Sequence, residues 1–473
     1  MASTHLIFDL GASSGRAMIG RLEAGHLSLR EAHRFKNYPV ERGGSWFWEF
    51  DHLVAELKEG FRKAFALDSG ITTFSIDTWG VDYVFFRDGK PIRDPFNYRD
   101  ERTSPAMEAL HRRISRDDLF AATGIQLMNI NTVYQLFAHR ETFPGDFENG
   151  SMLLFMPDAL HYALTGDTRT EYTIASTGAL LDPRSRDWNR ELLAELGIPA
   201  SVFTPIVPPS SSGMPLRPEI AAELGIPRIT GIKCGSHDTA SAVAALPLRD
   251  GGAAAYVSLG TWALLGAELD APMLSPEAGR AHYTNEGGLE HTIRFLTNIT
   301  GTWILQECRR VWSEEDHRDV SFGELSRLAR SSASPARINP NDSSFSPPGE
   351  MPARIAEYCR RTGQRIPEGR GEILRTVYDS LAEAFAGKLA ELEKLTGRKY
   401  GELHIIGGGV QDEFLMQLTA DAIGRPVAAG PVEATAIGNL LSQLTVAGEI
   451  PSLAEGRRLV ADSFPVTMWR PAR

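Results

Sequence analysis

The chain has 473 residues, of which 42% are hydrophobic and 23% charged, and its formal net charge is −11. This length favours two domains in an ordinary globular protein. The acidic balance argues against nucleic acid as a partner, because no basic surface would meet a phosphate backbone. Three cysteines are too few for a disulfide framework, and the first residues lack the pattern of a signal peptide, so a cytoplasmic location is expected.

The first 35 residues alternate in strand fashion and predict a three-stranded antiparallel meander. A helix over 52–67 is expected next, capped by Asp51, because leucine and phenylalanine recur there at every fourth position. Two further strands are predicted in ITTFSIDTWG and VDYVFFRDGK. Three antiparallel strands followed by alternating helix and strand favour an α/β domain with a mixed sheet.

The middle of the chain predicts a change of domain. A segment rich in proline and serine, from about 203 to 228, is interpreted as a surface excursion, and ITGIKCGSHDTASAVAALPL after it predicts strand, turn and helix. LRDGG at 248–252 is a plausible hinge. The uncharged stretch over 251–267 is too short and too rich in glycine for a membrane helix, so no membrane is expected as a partner.

The second half repeats the opening plan. YVSLGTWALLGAELD matches IFDLGASSGRAMIGRLE, since both predict a strand, a glycine-centred turn with a hydroxyl, and a second strand. A third strand and a helix follow, then a long amphipathic helix over 372–396 that Gly397 ends. Two copies of one α/β plan predict two lobes with a cleft between them.

The turn in FDLGASSGR has two interpretations. Glycine, serine and aspartate are ordinary hairpin residues, but such a turn also offers backbone N–H groups and hydroxyls to anionic oxygens. In the second interpretation Arg16 adds a charged donor, and Asp9 can hold Mg²⁺ directly or through water. The second copy, SLGTW at 258–262, favours phosphate binding, because two such turns could hold a polyphosphate from both sides.

Asp238, in the triplet His237-Asp238-Thr239, follows a predicted strand and opens a predicted helix. Either Asp238 or Ser236 could simply be the N-cap of that helix, and from the residues alone this is the better interpretation. Asp238 could instead be the general base that accepts a proton from an attacking hydroxyl. Transfer of a γ-phosphoryl group asks little more of a protein than this, positioning and charge neutralisation.

Other polar positions stay open at this stage. Trp79, which Gly80 follows, suits either the core or the C–H face of a sugar. Asn298 and Gln306 are ambiguous from the residues alone. The sequence leaves undecided whether Asp77 or Asp82 adds to a metal or sugar site, and it assigns no role to residues 312–352.

These motifs, taken in chain order, resemble the FGGY family of carbohydrate kinases from about residue 5 to 450. The resemblance is carried by IFDLGASSGR, SIDTWGVDYVF, YRDERT, NTVYQL, MPD, EYTIAST, SHDTASAV, SLGTWALLG, TNEGG, INPND, LHIIGGG and GPVEATAIGN. Within the family, DLGASSGR and SHDTASAV are most similar to the branch that phosphorylates L-rhamnulose. Some relatives have cysteine pairs that this chain lacks.

The resemblance implies a fold and an activity. The fold would be α/β, with two ribonuclease-H-like lobes of actin and hexokinase type, mixed sheets and an interdomain cleft, divided into 1–244 and 245–473. The reaction would be ATP-dependent phosphorylation of L-rhamnulose at O1 in L-rhamnose catabolism, by a monomer or small homo-oligomer. The alternatives are a family kinase for another ketose or deoxysugar (L-fuculose, L-xylulose or an autoinducer sugar) and, more remotely, a non-catalytic sensor of nucleotide or sugar.

The resemblance also implies roles for individual residues. ATP would bind to Ala12, Ser13, Ser14, Gly15, Arg16, Thr261, Gln306 and Gly408. The sugar would bind to Gly80, His237, Asp238, Thr239 and Asn298. Asp238 would accept the proton of the sugar hydroxyl, and Asp9 would hold Mg²⁺ through water.

Overall fold

The structure is a computed structural model that describes residues 3–249 and 254–472. Its strands, in chain order, are β1 (Thr4–Leu10), β2 (Ser14–Glu23), β3 (His26–Lys36), β4 (Val40–Arg42), β5 (Ser45–Phe47), β6 (Ile71–Thr78), β7 (Tyr83–Arg87), β8 (Lys90–Pro91), β9 (Met152–Phe155), β10 (Thr170–Glu171), β11 (Leu181–Asp182), β12 (Asp187–Trp188), β13 (Ile206–Val207), β14 (Ser211–Pro215), β15 (Thr230–Lys233), β16 (Ala255–Leu259), β17 (Trp262–Leu269), β18 (Thr284–Gly287), β19 (Ile293–Thr300), β20 (Leu403–Ile406), β21 (Val427–Ala429) and β22 (Thr467–Trp469).

The α-helices follow the same chain order. They are α1 (Phe50–Leu67), α2 (Thr103–Leu110), α3 (Arg116–Thr123), α4 (Thr132–Thr142), α5 (Met156–Thr165), α6 (Tyr172–Ala175), α7 (Arg190–Leu196), α8 (Pro218–Leu224), α9 (Asp238–Ala244), α10 (Pro276–Arg280), α11 (Trp303–Glu315), α12 (Phe322–Arg330), α13 (Met351–Arg361), α14 (Gly369–Thr396), α15 (Glu413–Ile423), α16 (Ala434–Val446) and α17 (Leu453–Ser463). Within residues 3–249 and 254–472, none of the helices combines the length and apolar character that a membrane crossing requires.

The chain divides into two compact units. Unit 1 comprises Met1–Gly251, Glu268–Phe295 and Ala434–Phe464, and unit 2 comprises Gly252–Ala267, Leu296–Glu433 and Pro465–Arg473. Each unit is therefore assembled from stretches that are far apart in the sequence. The division of the sequence into 1–244 and 245–473 stays a prediction, and positions 250–252 of the predicted hinge lie outside the described residues.

The main sheet of unit 1 has six strands in the order β14-β15-β6-β1-β2-β3. The predicted meander is confirmed, because β1, β2 and β3 pair antiparallel, and β6 then joins β1 in parallel. β15 in turn pairs in parallel with β6, so the sheet is mixed, as predicted. The three parallel strands end at the same edge of the sheet, where the candidate site lies.

Helix α1 packs one face against the core of unit 1. Leu53, Leu57 and Phe61 are buried at four-residue spacing, as the sequence predicts. The predicted cap is wrong, however: Glu49 occupies the N-cap position and Asp51 lies in the first turn. The helix starts two residues earlier than predicted, at Phe50, which is itself buried in the core.

Residues 203–228 lie mostly at the surface, as predicted, but they are part of the fold and not an excursion from it. This segment contains β13, β14 and α8, and β14 pairs antiparallel with β15 as the edge strand of the main sheet. Its prolines do not prevent this, since an edge strand tolerates a missing N–H group and proline suits the first turn of a helix. Pro215 closes the edge strand and Pro218 begins α8.

Unit 2 repeats the sheet plan of unit 1. Part of its sheet has the order β17-β16-β20-β21-β22, in which β16 pairs antiparallel with β17 and parallel with β20. The predicted repeat of strand, glycine-centred turn and strand is therefore confirmed. The long helix α14 begins at Gly369, three residues before the predicted start, and ends at Gly397, which has the left-handed conformation that glycine favours.

Candidate active site

The turn between β1 and β2 holds the predicted phosphate-binding residues. Its backbone is closed by a hydrogen bond from the Gly11 N–H to the Ser14 carbonyl oxygen, 2.9 Å long. Asn37, at the end of β3, holds the turn from outside, since its Nδ2 donates to the Gly11 carbonyl (2.8 Å) and its N–H to the Ser13 carbonyl (3.1 Å). Ser13 is exposed, so the turn is available to a ligand.

Gly15 is required by packing rather than by backbone conformation. A Cβ at this position would lie 2.1 Å from Cζ of Phe35, which is far closer than any ordinary contact. The ring of Phe35, the register partner of Gly15 on β3, therefore occupies the space that a side chain at position 15 would need.

Asp9 and Arg16 form an ion pair at the base of the turn. They are register partners on β1 and β2, and Nη2 of Arg16 donates to Oδ2 of Asp9 at 2.6 Å. The Arg16 and Asp9 side chains are 17% and 10% exposed, so the pair is largely shielded from water. An incoming anion or cation therefore competes with a bond that already exists.

Asp77 is the partner of Asp9 on the neighbouring parallel strand β6. It is fully buried, with Nδ2 of Asn439 donating to its Oδ2 at 2.7 Å and no hydrogen bond to its Oδ1. Burial, and then the negative charge of Asp9, raise the pKa of Asp77 well above its usual value. Asp77 therefore favours its neutral form, and Asp9 is the more suitable carboxylate for a cation.

Asp238 lies at the same edge of the sheet. Thr78 at the end of β6 and His237 form a parallel bridge, and the Thr78 N–H donates to the Ser236 carbonyl at 2.9 Å. His237, not Asp238 or Ser236, occupies the N-cap position of α9, and no side chain caps the helix there. The capping interpretation is thus wrong. The Asp238 side chain stays 31% exposed, while burial is the main cause that raises its pKa.

Gly80 lies directly against His237. A Cβ on Gly80 would be 3.4 Å from Nε2 of His237 and 3.2 Å from Cγ2 of Thr177. The next residue, Val81, has φ of 68°, a strained conformation for a β-branched residue. Its N–H donates to the Thr177 hydroxyl oxygen at 3.1 Å, and its carbonyl oxygen accepts a hydrogen bond from the Thr132 hydroxyl at 2.7 Å. The predicted sugar positions of unit 1 are therefore adjacent.

The turn that leads into α9 is held by a buried carboxylate. Glu171 accepts hydrogen bonds from the Ser236 N–H (3.1 Å) and from the hydroxyl and N–H of Thr173 (2.6 and 2.8 Å). The Thr173 oxygen in turn accepts the N–H of His237 at 3.2 Å. Burial raises the pKa of Glu171 to about 7. Glu171, the N-cap residue of α6, and Thr173 within α6 thus hold the backbone just before Asp238.

Trp79 and Asp82 belong to the core beside the site. Trp79 is 5% exposed, and its ring centroid lies 4.3 Å from that of Trp48. Asp82 accepts both indole N–H groups on Oδ2, at 2.6 Å from Trp48 and 3.0 Å from Trp79, and Nε2 of Gln135 donates to its Oδ1 at 2.9 Å. Burial raises the pKa of Asp82 to about 6. These contacts favour a structural role for Trp79 over sugar stacking.

In unit 2, Thr261 and Gln306 are brought together. Thr261 lies in the turn between β16 and β17, and its hydroxyl oxygen is 3.4 Å from the side-chain amide of Gln306. The N–H groups of Gly301 and Trp303 donate to the Thr261 carbonyl at 3.1 and 3.2 Å. These contacts hold the second glycine-centred turn in place.

Gly408 follows the end of β20, the parallel neighbour of β16. A Cβ on Gly409 would lie 2.3 Å from Cγ of Leu259, whereas one on Gly408 would meet no atom within 4 Å. Gly408 therefore borders open space close to the turn that holds Thr261. The three ATP positions predicted in unit 2 lie in one region of that unit.

Asn298 lies on the part of β19 that belongs to unit 2, so the predicted sugar positions are divided between the units. Asn341 accounts for part of the segment that the sequence left unassigned: its Oδ1 accepts the Thr300 N–H at 2.8 Å and its Nδ2 donates to the Asn298 carbonyl at 3.3 Å. The INPND motif thus fixes the strand that carries Asn298.

A family model for the N-terminal domain of FGGY carbohydrate kinases matches residues 4–245, and one for the C-terminal domain matches residues 255–447. The chain belongs to the FGGY family of carbohydrate kinases. This FGGY kinase is 42% identical to a rhamnulokinase of Bacteroides thetaiotaomicron over 474 residues, which cover 100% of this chain and 96% of that one. A rhamnulokinase of Bacillus subtilis is 39% identical, over 99% of this chain and 95% of its own length.

Solved structures share the fold of this FGGY kinase. A ligand-bound xylulose kinase of Lactobacillus acidophilus matches with a TM-score of 0.82 at 15% identity, over 99% of this chain and 94% of that one. A Plasmodium falciparum glycerol kinase with ADP matches with a TM-score of 0.80 at 14% identity, over the same shares of the two chains. At such low identity these matches establish the two-domain α/β fold and no more.

Proposed function

We propose that this FGGY kinase transfers the γ-phosphoryl group of ATP to O1 of L-rhamnulose. The observation that best supports phosphotransfer is the position of Asp238. Its carboxylate is partly exposed and does not cap a helix, and it lies beside His237 at the sheet edge shared with Asp9. Gly80 lies against the same histidine. The full-length similarity to rhamnulokinases of several bacteria supports L-rhamnulose as the acceptor.

In this proposal Asp238 accepts the hydroxyl proton as the bond between O1 and phosphorus forms. Its raised pKa makes it a better proton acceptor than an ordinary aspartate, as a general base requires. The Ser236 and His237 backbone contacts with Glu171 and Thr173 fix its position, and correct placement accounts for much of the rate in such reactions.

ATP would bind to the turn from Ala12 to Arg16 and to Thr261, Gln306 and Gly408. Its phosphate groups would be held by Ser13, Ser14, Gly15, Arg16 and Thr261. Arg16 is a suitable donor because its guanidinium is charged and already lies beneath the turn. Reorganisation of its ion pair with Asp9 would accompany nucleotide binding.

Asp9 fits Mg²⁺, which takes hard oxygen ligands and keeps several of its waters. Its side chain is at the edge of the sheet and is 10% exposed, whereas Asp77 beside it is fully buried and favours its neutral form. When bound, the cation would neutralise charge on the phosphate oxygens. We also propose a cytoplasmic location, where ATP is available.

Release of ADP from this kinase, measured with a panel of L-rhamnulose, L-fuculose and L-xylulose at equal concentrations, tests the proposal. We expect L-rhamnulose to give the highest kcat/KM, and ³¹P–¹³C coupling in the product to place phosphate on C1. A higher value for another ketose would contradict the choice of substrate and favour a sister kinase. Absence of ADP release with every sugar would contradict catalysis itself and favour a sensor.

A further inference from the structure

Behind His237 lies a buried arginine that the proposed reaction does not use. Arg294, on the part of β19 that belongs to unit 1, has a side chain with no exposed surface. Its Nε donates to the Gly287 carbonyl at 2.7 Å, and its Nη2 lies 3.0 Å from both Nδ1 of His237 and Oε2 of Glu286. A charged group this deep in a protein needs specific partners. Two of the partners of Arg294, His237 and Glu286, also lie close to each other, whereas its Nη1 has no hydrogen-bond partner among the described residues.

A guanidinium can only donate hydrogen bonds, so Nδ1 of His237 must be the acceptor in its contact with Arg294. The proton of a neutral imidazole is then on Nε2. That nitrogen lies 3.4 Å from Oδ1 of Asp238, and the same 3.4 Å separates it from a Cβ placed on Gly80. A donor thus faces both the proposed base and the proposed sugar position.

Glu286 is the competing partner of the same nitrogen. Its Oε2 is 3.3 Å from Nδ1 of His237, a distance at which a carboxylate would favour the opposite tautomer. The contact between Oε2 and the imidazole does not have the geometry of a hydrogen bond, whereas the contact from Arg294 to Nδ1 does. Arg294 therefore decides the tautomer as long as it is present.

We infer that Arg294 is a positioning residue that holds His237 with its proton on Nε2, directed at Asp238 and Gly80. The role of Asp238 and Gly80 in this inference rests on the proposed function. The tautomer itself does not, because it is a property of the protein without substrate.

The test uses the full chain labelled with ¹⁵N-histidine, and long-range ¹H–¹⁵N correlation spectra in the absence of substrate. The His237 signals are assigned by their loss in His237→Gln. We expect an unprotonated Nδ1 and a protonated Nε2, and in Arg294→Met a proton on Nδ1, because Glu286 then becomes its partner. A proton on Nδ1 in the unaltered chain, or an unchanged ring in Arg294→Met, would overturn the inference.

Kinetics with L-rhamnulose supply a second readout. We expect Arg294→Met to lower kcat by about 10- to 100-fold, as loss of a group that orients a functional histidine does, with KM for ATP within about twofold. An unchanged kcat would overturn the inference. If the unaltered chain does not phosphorylate L-rhamnulose, the proposed function fails and the spectra still decide the tautomer.

Two further variants test the inference if Arg294→Met does not fold. Glu286→Gln retains the arginine, so the proton is expected to stay on Nε2, and its movement to Nδ1 would overturn the inference. Arg425→Met is the matched control, because Arg425 also pairs with a buried glutamate, Glu393, and its other hydrogen bond goes to the Tyr400 carbonyl in unit 2. It is expected to lower Tm and to leave the His237 spectrum unchanged, and a changed tautomer there would also overturn the inference.

Discussion

Helices α9 and α16 pack so closely that one added methyl group tests the placement of Asp238. Gly438 of α16 faces Ser241 of α9, and a Cβ at 438 would lie 1.7 Å from the Ser241 carbonyl oxygen and 2.5 Å from its carbonyl carbon. Real Cβ atoms essentially never approach within 3.0 Å of another atom, and here the obstacle is backbone. Gly438→Ala therefore requires the two helices to separate by roughly 1 Å, and Asp238 is the first residue of α9.

The expected magnitude follows from that displacement. Overpacking of this kind lowers the free energy of unfolding by about 1–3 kcal/mol. The better helix propensity of alanine offsets up to about 1 kcal/mol of this loss. A misplacement near 1 Å costs about 100-fold in rate. We therefore expect Gly438→Ala to remain folded, with a lower free energy of unfolding and a kcat for ADP release reduced by about two orders of magnitude.

Gly387→Ala in α14 is the matched control, because a Cβ there would meet no atom within 4 Å. It is expected to keep kcat and to gain up to about 1 kcal/mol of stability from helix propensity. Thermal unfolding and the coupled ADP assay are run on both variants. If Gly438→Ala behaves like Gly387→Ala in both measurements, the placement of Asp238 by the packing of α9 on α16 is refuted.

Three further outcomes are expected. Gly15→Ala should raise KM for ATP about tenfold, because the new Cβ displaces the Phe35 ring and with it the turn; Phe35→Leu in the same chain should restore KM, and an unchanged KM in the single variant would contradict this. Lys233→Met leaves the fully buried Asp158 without its 2.7 Å partner and should cost about 3–5 kcal/mol in denaturant unfolding; a loss below about 1 kcal/mol would contradict it. Asp82 has a pKa of about 6 in the folded protein against 3.8 unfolded, so the folded state binds more protons between these values, and its contribution to stability falls as pH rises from about 4 to 6. Asp82→Asn should remove on the order of 3 kcal/mol of that pH dependence, and an identical slope in both proteins would contradict the assignment.

Local patterns were sufficient to predict much of the fold. The β1–β3 meander and its repeat in β16 and β17 follow from alternating apolar residues around glycine turns, which act over a few positions. Composition was misleading at β14, because proline and serine indicate a loop unless the partner strand β15 is known. A pattern that extends over a few neighbouring positions cannot indicate which distant segments pair.

In the candidate site too, local motifs indicated some residues, whereas others act through contacts between distant segments. Asp9, Arg16 and Asp238 stand in recognisable motifs at strand ends, and the resemblance to a kinase family assigned their roles. Asn37, Glu171 and Arg294 were missed, since each contributes through a contact with residues far away in the sequence. EYTIAST contains Glu171, and TNEGG contains Glu286, the partner of Arg294. Both motifs were interpreted only as marks of the resemblance, and the charged residues within them were the available signal.

Asp238→Asn tests the central claim most directly, because the substitution keeps the size of the side chain and removes its basicity. Calorimetric titration of L-rhamnulose into the variant, with kcat from single-turnover phosphorylation, separates binding from catalysis. We expect a Kd within a few-fold of that of the unaltered chain and a kcat lower by about 10²–10⁴-fold. Phosphorylation at the unaltered rate would contradict it.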